Sequence, residues 1–138
     1  MKPVLDHIGI AVRSIDTAKI YEALGLTIEY VETVDTQGVR TAFLSVGDAN
    51  LELLEPTGAD SPIAKFIDKR GEGIHHICLR VDNIEEHLAR LQEKGFRLID
   101  QAPVPGAHGC RVAFLHPAAG NGVLIELSES LDFARDEP

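Results

Sequence analysis

The feature that most limits what this chain can fold into is an internal repeat. Asp6-His7-Ile8-Gly9-Ile10-Ala11-Val12 near the start returns as His75-His76-Ile77-Cys78-Leu79-Arg80-Val81. Shifted by 69 positions, His7 falls on His76, Ile8 on Ile77, Val12 on Val81 and Ile15 on Ile84. Later segments echo too: Ala42-Phe43-Leu44 recurs as Ala113-Phe114-Leu115, and Leu51-Glu52-Leu53 as Ile125-Glu126-Leu127. A chain of 138 residues that repeats at half its length reads as two copies of one unit sharing a core. Anything built between the copies can draw on matching positions of each.

Periodicity sketches the unit. Residues 4–12 alternate, with Ile8, Ile10 and Val12 on one face and His7, Gly9 and Ala11 on the other. Ser14 can cap a helix over about 15–24 that Gly25 stops. Strands are expected at about 27–34, 39–46 and 50–55, turning at Thr36-Gln37-Gly38 and Gly47-Asp48-Ala49-Asn50. The second copy repeats the order: strand 74–82, a helix over 84–94 capped by Asn83 and Glu86, and strands near 96–100, 110–115 and 122–128. The expected fold class is therefore α+β, with two tandem βαβββ units at 1–56 and 74–128. A linker at 57–73 carries a short helix at Pro62–Asp68, and a loosely held acidic tail begins at Glu129.

Each copy offers one histidine on its first strand and one carboxylate on its last: His7 with Glu52, His76 with Glu126. A glutamate within an apolar strand is costly to bury unless it is paired or binds a metal. One histidine on a strand is ordinarily structural, and one strand glutamate ordinarily faces solvent. The coincidence of all four at matching positions is what points to a divalent-metal site of two imidazoles and two carboxylates. That donor mixture suits Co, Mn, Ni, Fe or Zn better than Ca. Alternation favours His76 over His75, which shares the core-facing side with Ile77 and Leu79; Cys78 reads as a small cavity-lining residue.

Composition excludes more than it assigns. Thirteen Lys and Arg against 22 Asp and Glu give a net charge of −9, which argues against nucleic-acid binding through a basic surface. Two cysteines are too few for a disulfide framework, and no apolar run is long enough to span a bilayer. With no signal peptide recognisable, the expected location is cytoplasmic. Lys65, Lys69 and Arg70 form a local cationic cluster, and His108, Gly109 and His116 lie in or beside loops near strand ends.

The duplicated unit, with Leu51-Glu52-Leu53-Leu54-Glu55-Pro56, Asp60-Ser61-Pro62-Ile63, Gly73-Ile74-His75-His76, Gly106-Ala107-His108-Gly109, Phe114-Leu115-His116-Pro117 and Gly122-Val123-Leu124-Ile125-Glu126, resembles the vicinal-oxygen-chelate (glyoxalase/bleomycin-resistance/dioxygenase) superfamily. Within it, the chain is most similar to the methylmalonyl-CoA epimerases. The resemblance implies a cup-shaped, mostly antiparallel sheet around one divalent ion held by His7, Glu52, His76 and Glu126. It also implies an acyl-CoA thioester substrate and a homodimer. Glu126 is expected as one acid/base, and the repeat nominates Glu52 as the other. Lys65 is a candidate for the CoA phosphates, and His108 with Gly109 for the substrate carboxylate. Some epimerases of this type carry a base on the third strand where this chain has Thr41, and glutamine where it has Glu52. The rival readings are a lactoylglutathione lyase, which uses the same ligand set, and a non-catalytic binding protein of this fold.

Overall fold

The computed structural model describes residues 2–106 and 109–130. The chain divides into two compact units, His7–His75 and Met1–Asp6 with His76–Pro138. In the first, β1 (Val4–Ala11) pairs in parallel with β4 (Ala49–Pro56). Antiparallel pairings then join β4 to β3 (Val39–Val46) and β3 to β2 (Ile28–Val34), giving the order β2-β3-β4-β1. In the second, β5 (Gly73–Arg80) pairs in parallel with β8 (Leu124–Ser130), β8 with β7 (Cys110–Leu115), and β7 with the two-residue β6 (Val104–Pro105). The class is α+β, and each unit is a mixed sheet. Parallel strands need a long connection, and in each unit the helical turn and two strands that intervene supply it.

Strand alternation sorts the side chains as the pattern requires. Ile10, Val12, Ala42, Leu44, Leu53 and Ile15 form one core on the far face of the first sheet. Val81, Ile84, Leu88, Ala113, Leu115 and Leu127 form its counterpart in the second. Helix α3 (Ile84–Glu93) lays Ile84 and Leu88 into that core, and Asn83 caps it by accepting from the Glu86 amide. Helix α2 (Pro62–Arg70), begun by a buried Ser61 cap, packs Ile63 and Ile67 against Ala11, Val39 and Leu54. Those three lie on the opposite face of the first sheet, the one that carries His7.

Three expectations give way. The helix over 15–24 is a 3-10 turn at Ile15–Thr17 followed by one short helix, α1 (Ile20–Ala23), whose start at Lys19 makes no side-chain cap bond. Ile20 and Leu24 are exposed, so the helical spacing there had no partner surface to hold it. No strand forms at 96–100. Leu98 makes a single bridge to Leu115, and the Asp100 carboxylate accepts the Phe114 amide that a ladder there would use. Glu129, expected to open a loose tail, lies inside β8; residues 131–138 are outside the described residues. Among the described residues no helix is long and apolar enough to cross a membrane.

Candidate metal and acid–base site

In the unit of residues 7–75, the parallel register sets Gly9 beside Glu52, so His7, two residues before Gly9, shares the Glu52 face. His7 is buried, and its Nδ1 lies 2.9 Å from Glu52 Oε2. In the other unit Cys78 pairs with Glu126, and His76, two residues before Cys78, is buried with its Nε2 3.3 Å from Glu126 Oε1. The same construction therefore occurs twice. A histidine sits on the first strand, and a glutamate on its parallel neighbour stands two residues further along. Both glutamate side chains are largely withdrawn from water, at 15% and 13% exposure, and the imidazoles offset the cost of that burial.

The spacing inside each pair bears on a metal. Imidazole nitrogen and carboxylate oxygen bind Zn-like ions at about 2.0–2.2 Å, so two such donors on one ion stand roughly 3 Å apart. Both pairs already have that separation, and the donors are of the right chemistry. The residues fit a divalent ion.

The antiparallel neighbours add a feature that periodicity alone passed over. Phe43 on β3 is opposite Glu52, and Phe114 on β7 is opposite Glu126. Phe114 meets the His76 ring edge-on, with centroids 6.3 Å apart. Phe43 instead stacks on Tyr30, its partner on β2, at 4.3 Å and 15°. The Tyr30 phenol is pushed above its ordinary range, first by loss of water contact and then by the negative charges of Glu32, Glu52 and Glu29. The repeated Ala-Phe-Leu segments were the signal for the two phenylalanines, since alternation on strands opposite the glutamates puts both rings on the site face. Thr41, two residues before Phe43, is buried on that face opposite Leu54 and Glu32.

A second repeated set was also not anticipated. Three residues beyond each site glutamate stands another, on the opposite face: Glu55 and Glu129. Glu55 accepts from the Ile15 amide at 2.9 Å and pairs with Arg40 at 3.4 Å. Glu129 accepts from the Ile84 amide at 2.9 Å and pairs with Arg111, which also bonds both oxygens of Glu85 at 2.7 Å. Each last strand thus holds the start of its own unit's first helical turn.

The remaining candidates are less directly engaged. Lys65, Lys69 and Arg70 are exposed on α2, with the Arg70 guanidinium 5.9 Å over the Phe66 ring. Gly109 takes a positive φ of 71° just before β7, a conformation that favours glycine. His108 lies outside the described residues. His75 packs edge-on against Phe66. His116 accepts the Ala118 amide through Nδ1, a turn-forming role.

Comparison with known proteins adds a family and relatives. The model of the glyoxalase/bleomycin resistance protein/dioxygenase superfamily matches residues 6–114. The uncharacterized protein YqjC of Bacillus subtilis is 47% identical over 91% of both chains. The ethylmalonyl-CoA/methylmalonyl-CoA epimerase of Cereibacter sphaeroides is 39% identical over 91% of this chain and 96% of its own. A solved methylmalonyl-CoA epimerase in complex with methylmalonyl-CoA and NH4+ superposes with a TM-score of 0.84 at 38% identity, covering 95% of this chain and 96% of that one.

Proposed function

Because the chain belongs to the glyoxalase/bleomycin resistance protein/dioxygenase superfamily, we propose that it interconverts (R)- and (S)-methylmalonyl-CoA. The observation that carries the reading is the twice-built histidine–glutamate pair, since inversion at one carbon needs acid/base groups from two sides. The residues read as one domain, 1–138, with its copies at 1–56 and 74–128. His7, Glu52, His76 and Glu126 would together hold one divalent ion, of the Co, Mn, Ni, Fe or Zn class. When bound, that ion supplies Lewis-acid stabilisation of the negative charge that builds on the substrate oxygens, worth several kcal/mol.

The chain's own residues move the proton. The reacting carbon lies between a thioester carbonyl and a carboxylate, so losing its proton sends the bonding pair into the carbonyl as an enolate. Glu126 takes the proton on one side, and Glu52, protonated, returns one on the other. For the reverse isomer the roles exchange. His7 Nδ1 and His76 Nε2 lie 2.9 and 3.3 Å from one oxygen of each carboxylate, so sharing the ion would hold each histidine and its glutamate in one place relative to the carbon. Their burial keeps bulk water from competing for the proton. Thr41 cannot serve as a base, which is why the second role falls to Glu52. Lys65 with its cationic neighbours meets the CoA phosphates, and the loop at His108 and Gly109 meets the substrate carboxylate. The reading includes a homodimer, checked by light scattering after size exclusion, in a cytoplasmic location.

The test is proton exchange in heavy water on both isomers, with metal-loaded and chelated protein compared. Mass spectrometry follows deuterium at the reacting carbon, and a stereospecific mutase reads configuration. Metal-dependent label uptake with inversion is expected. No uptake, with turnover of the methylglyoxal–glutathione adduct instead, would show a lactoylglutathione lyase.

A further inference from the structure

One row across the first sheet carries more than the acid/base needs. Read from β1 outward, on a single face, it runs Gly9, Glu52, Phe43, Tyr30. On one side of Glu52 there is no side chain at all. On the other stands a ring that is 7% exposed, backed by a second ring stacked on it at 4.3 Å. The matching row of the other unit runs Cys78, Glu126, Phe114. There the ring lies edge-on to His76, and β6 begins only at Val104, after the position that would stand opposite it. Among the described residues the aromatic pair is thus a feature of the Glu52 side alone.

The carbon that Glu52 and Glu126 serve bears four groups: hydrogen, carboxylate, thioester and an alkyl chain. The first three are accounted for by the acid/bases and by polar or cationic groups. The alkyl chain needs an apolar surface within reach of the same carbon. We infer that the Tyr30–Phe43 stack is the wall against which the α-alkyl substituent of a 2-alkylmalonyl thioester lies, and that it sets the longest substituent accepted. A lone ring could turn aside for a longer chain. A ring held by a parallel neighbour cannot, so the stack acts as a size limit. The stack is a specificity device and leaves proton transfer to the glutamates. The inference rests on the epimerase reading above.

The experiment compares kcat/KM for methylmalonyl-CoA and ethylmalonyl-CoA, read as deuterium uptake, in the metal-loaded full chain. The variants are Tyr30→Ala, Phe43→Leu and Phe43→Ala, with Phe114→Leu as the control in the other row. One methylene in an apolar pocket is worth about 10–200-fold in discrimination. The ethyl-to-methyl ratio should therefore rise about tenfold or more in Phe43→Ala, and less in Tyr30→Ala and Phe43→Leu. Phe114→Leu should slow both thioesters together and leave the ratio unchanged. Should Phe43→Ala not fold, the two milder variants decide. An unchanged ratio in Tyr30→Ala and Phe43→Leu, with the parent chain active, overturns the wall and leaves the epimerase reading standing. A parent chain that labels neither thioester overturns both.

Discussion

In the unit of residues 7–75, Glu52 stands between Gly9 and Phe43; in its counterpart, Glu126 stands between Cys78 and Phe114. Histidine, glutamate and phenylalanine are shared, and so is the second glutamate that holds the first helical turn. The supports are unequal. The first unit has a seven-residue β2 carrying Tyr30 outside Phe43, a four-residue α1, and α2 packed over the His7 face. The second has only two residues in β6 but a ten-residue α3. The shared parts are those that the proposed ion binding and proton transfer would require of both sides. The unshared parts are where one side is free to recognise what the other does not. In the proposed reading, duplication supplies the chemistry and divergence around it supplies the selectivity.

The hardest test of the shared part is to remove each histidine in turn. His7→Ala and His76→Ala should each lower bound metal per chain, measured by elemental mass spectrometry, and cut exchange of the substrate proton by about 10³-fold or more, as loss of several kcal/mol of charge stabilisation requires. If the copies contribute equally, the two losses agree within about tenfold. Full activity in either variant would remove that histidine from the site.

The glutamates should then separate. Glu126→Gln and Glu52→Gln keep a carbonyl oxygen in place, so metal content should change less than in the histidine variants. General acid–base catalysis is worth about 10²–10⁴-fold, and each variant should lose epimerisation by that order. The difference lies in which isomer still exchanges. With one acid/base intact, label should enter one configuration faster than inversion occurs. Equal loss of exchange for both isomers in Glu52→Gln, with metal retained, would assign Glu52 to holding the ion and leave the second proton to another group.

The histidines and site glutamates were legible because they lie in strands, where a period of two fixes the face and a repeat fixes the partner. The alternation that sorted Leu79 from His76 holds in the packing, with Leu79 against the second core and His76 beside Glu126. What escaped was set by contacts between segments far apart in sequence. Ile15 to Leu24 has helical spacing, but exposed Ile20 and Leu24 gain nothing by completing it. Glu129 reads as the first of a run of polar residues, and its pairing with Arg111 on β7 and its bond from the Ile84 amide, 45 positions away, keep it inside a strand. Tyr30 carries no motif of its own; its stack on Phe43 depends on the β2–β3 register, which a bulge between Ile28 and Tyr30 shifts.

The capping glutamates offer a smaller comparison, on stability. Loss of a side-chain cap costs about 0.5–2 kcal/mol. Glu129→Ala should lie near the top of that range, because it also leaves the Arg111 guanidinium without one of its carboxylates and starts a ten-residue helix. Glu55→Ala also frees Arg40 but releases a three-residue 3-10 turn in place of a ten-residue helix, and should cost less, about 1 kcal/mol. Urea midpoints measure both. A larger cost at Glu55 would mean that the first turn matters more to its unit than its length suggests.

The smallest effect distinguishes the two arginines. Arg111 grips Glu85 through both oxygens, and those bonds hold the Glu85 carboxyl below its ordinary value of 4.5. A carboxyl depressed in the folded state stabilises above its unfolded pKa, and that contribution fades as pH falls through the lower folded value. In the first copy the matching position is Asp16, one methylene shorter, and among the described residues no bond joins it to Arg40. Glu85→Asp therefore gives the second unit the first unit's arrangement. It should leave the urea midpoint nearly unchanged at neutral pH in high salt, where an exposed pair contributes little. The fall in stability below about pH 4.5 should become slightly shallower than in the parent chain. An unaltered acid-side slope would mean that Arg111 is positioned by Glu129 alone and that the Glu85 fork adds no stability of its own.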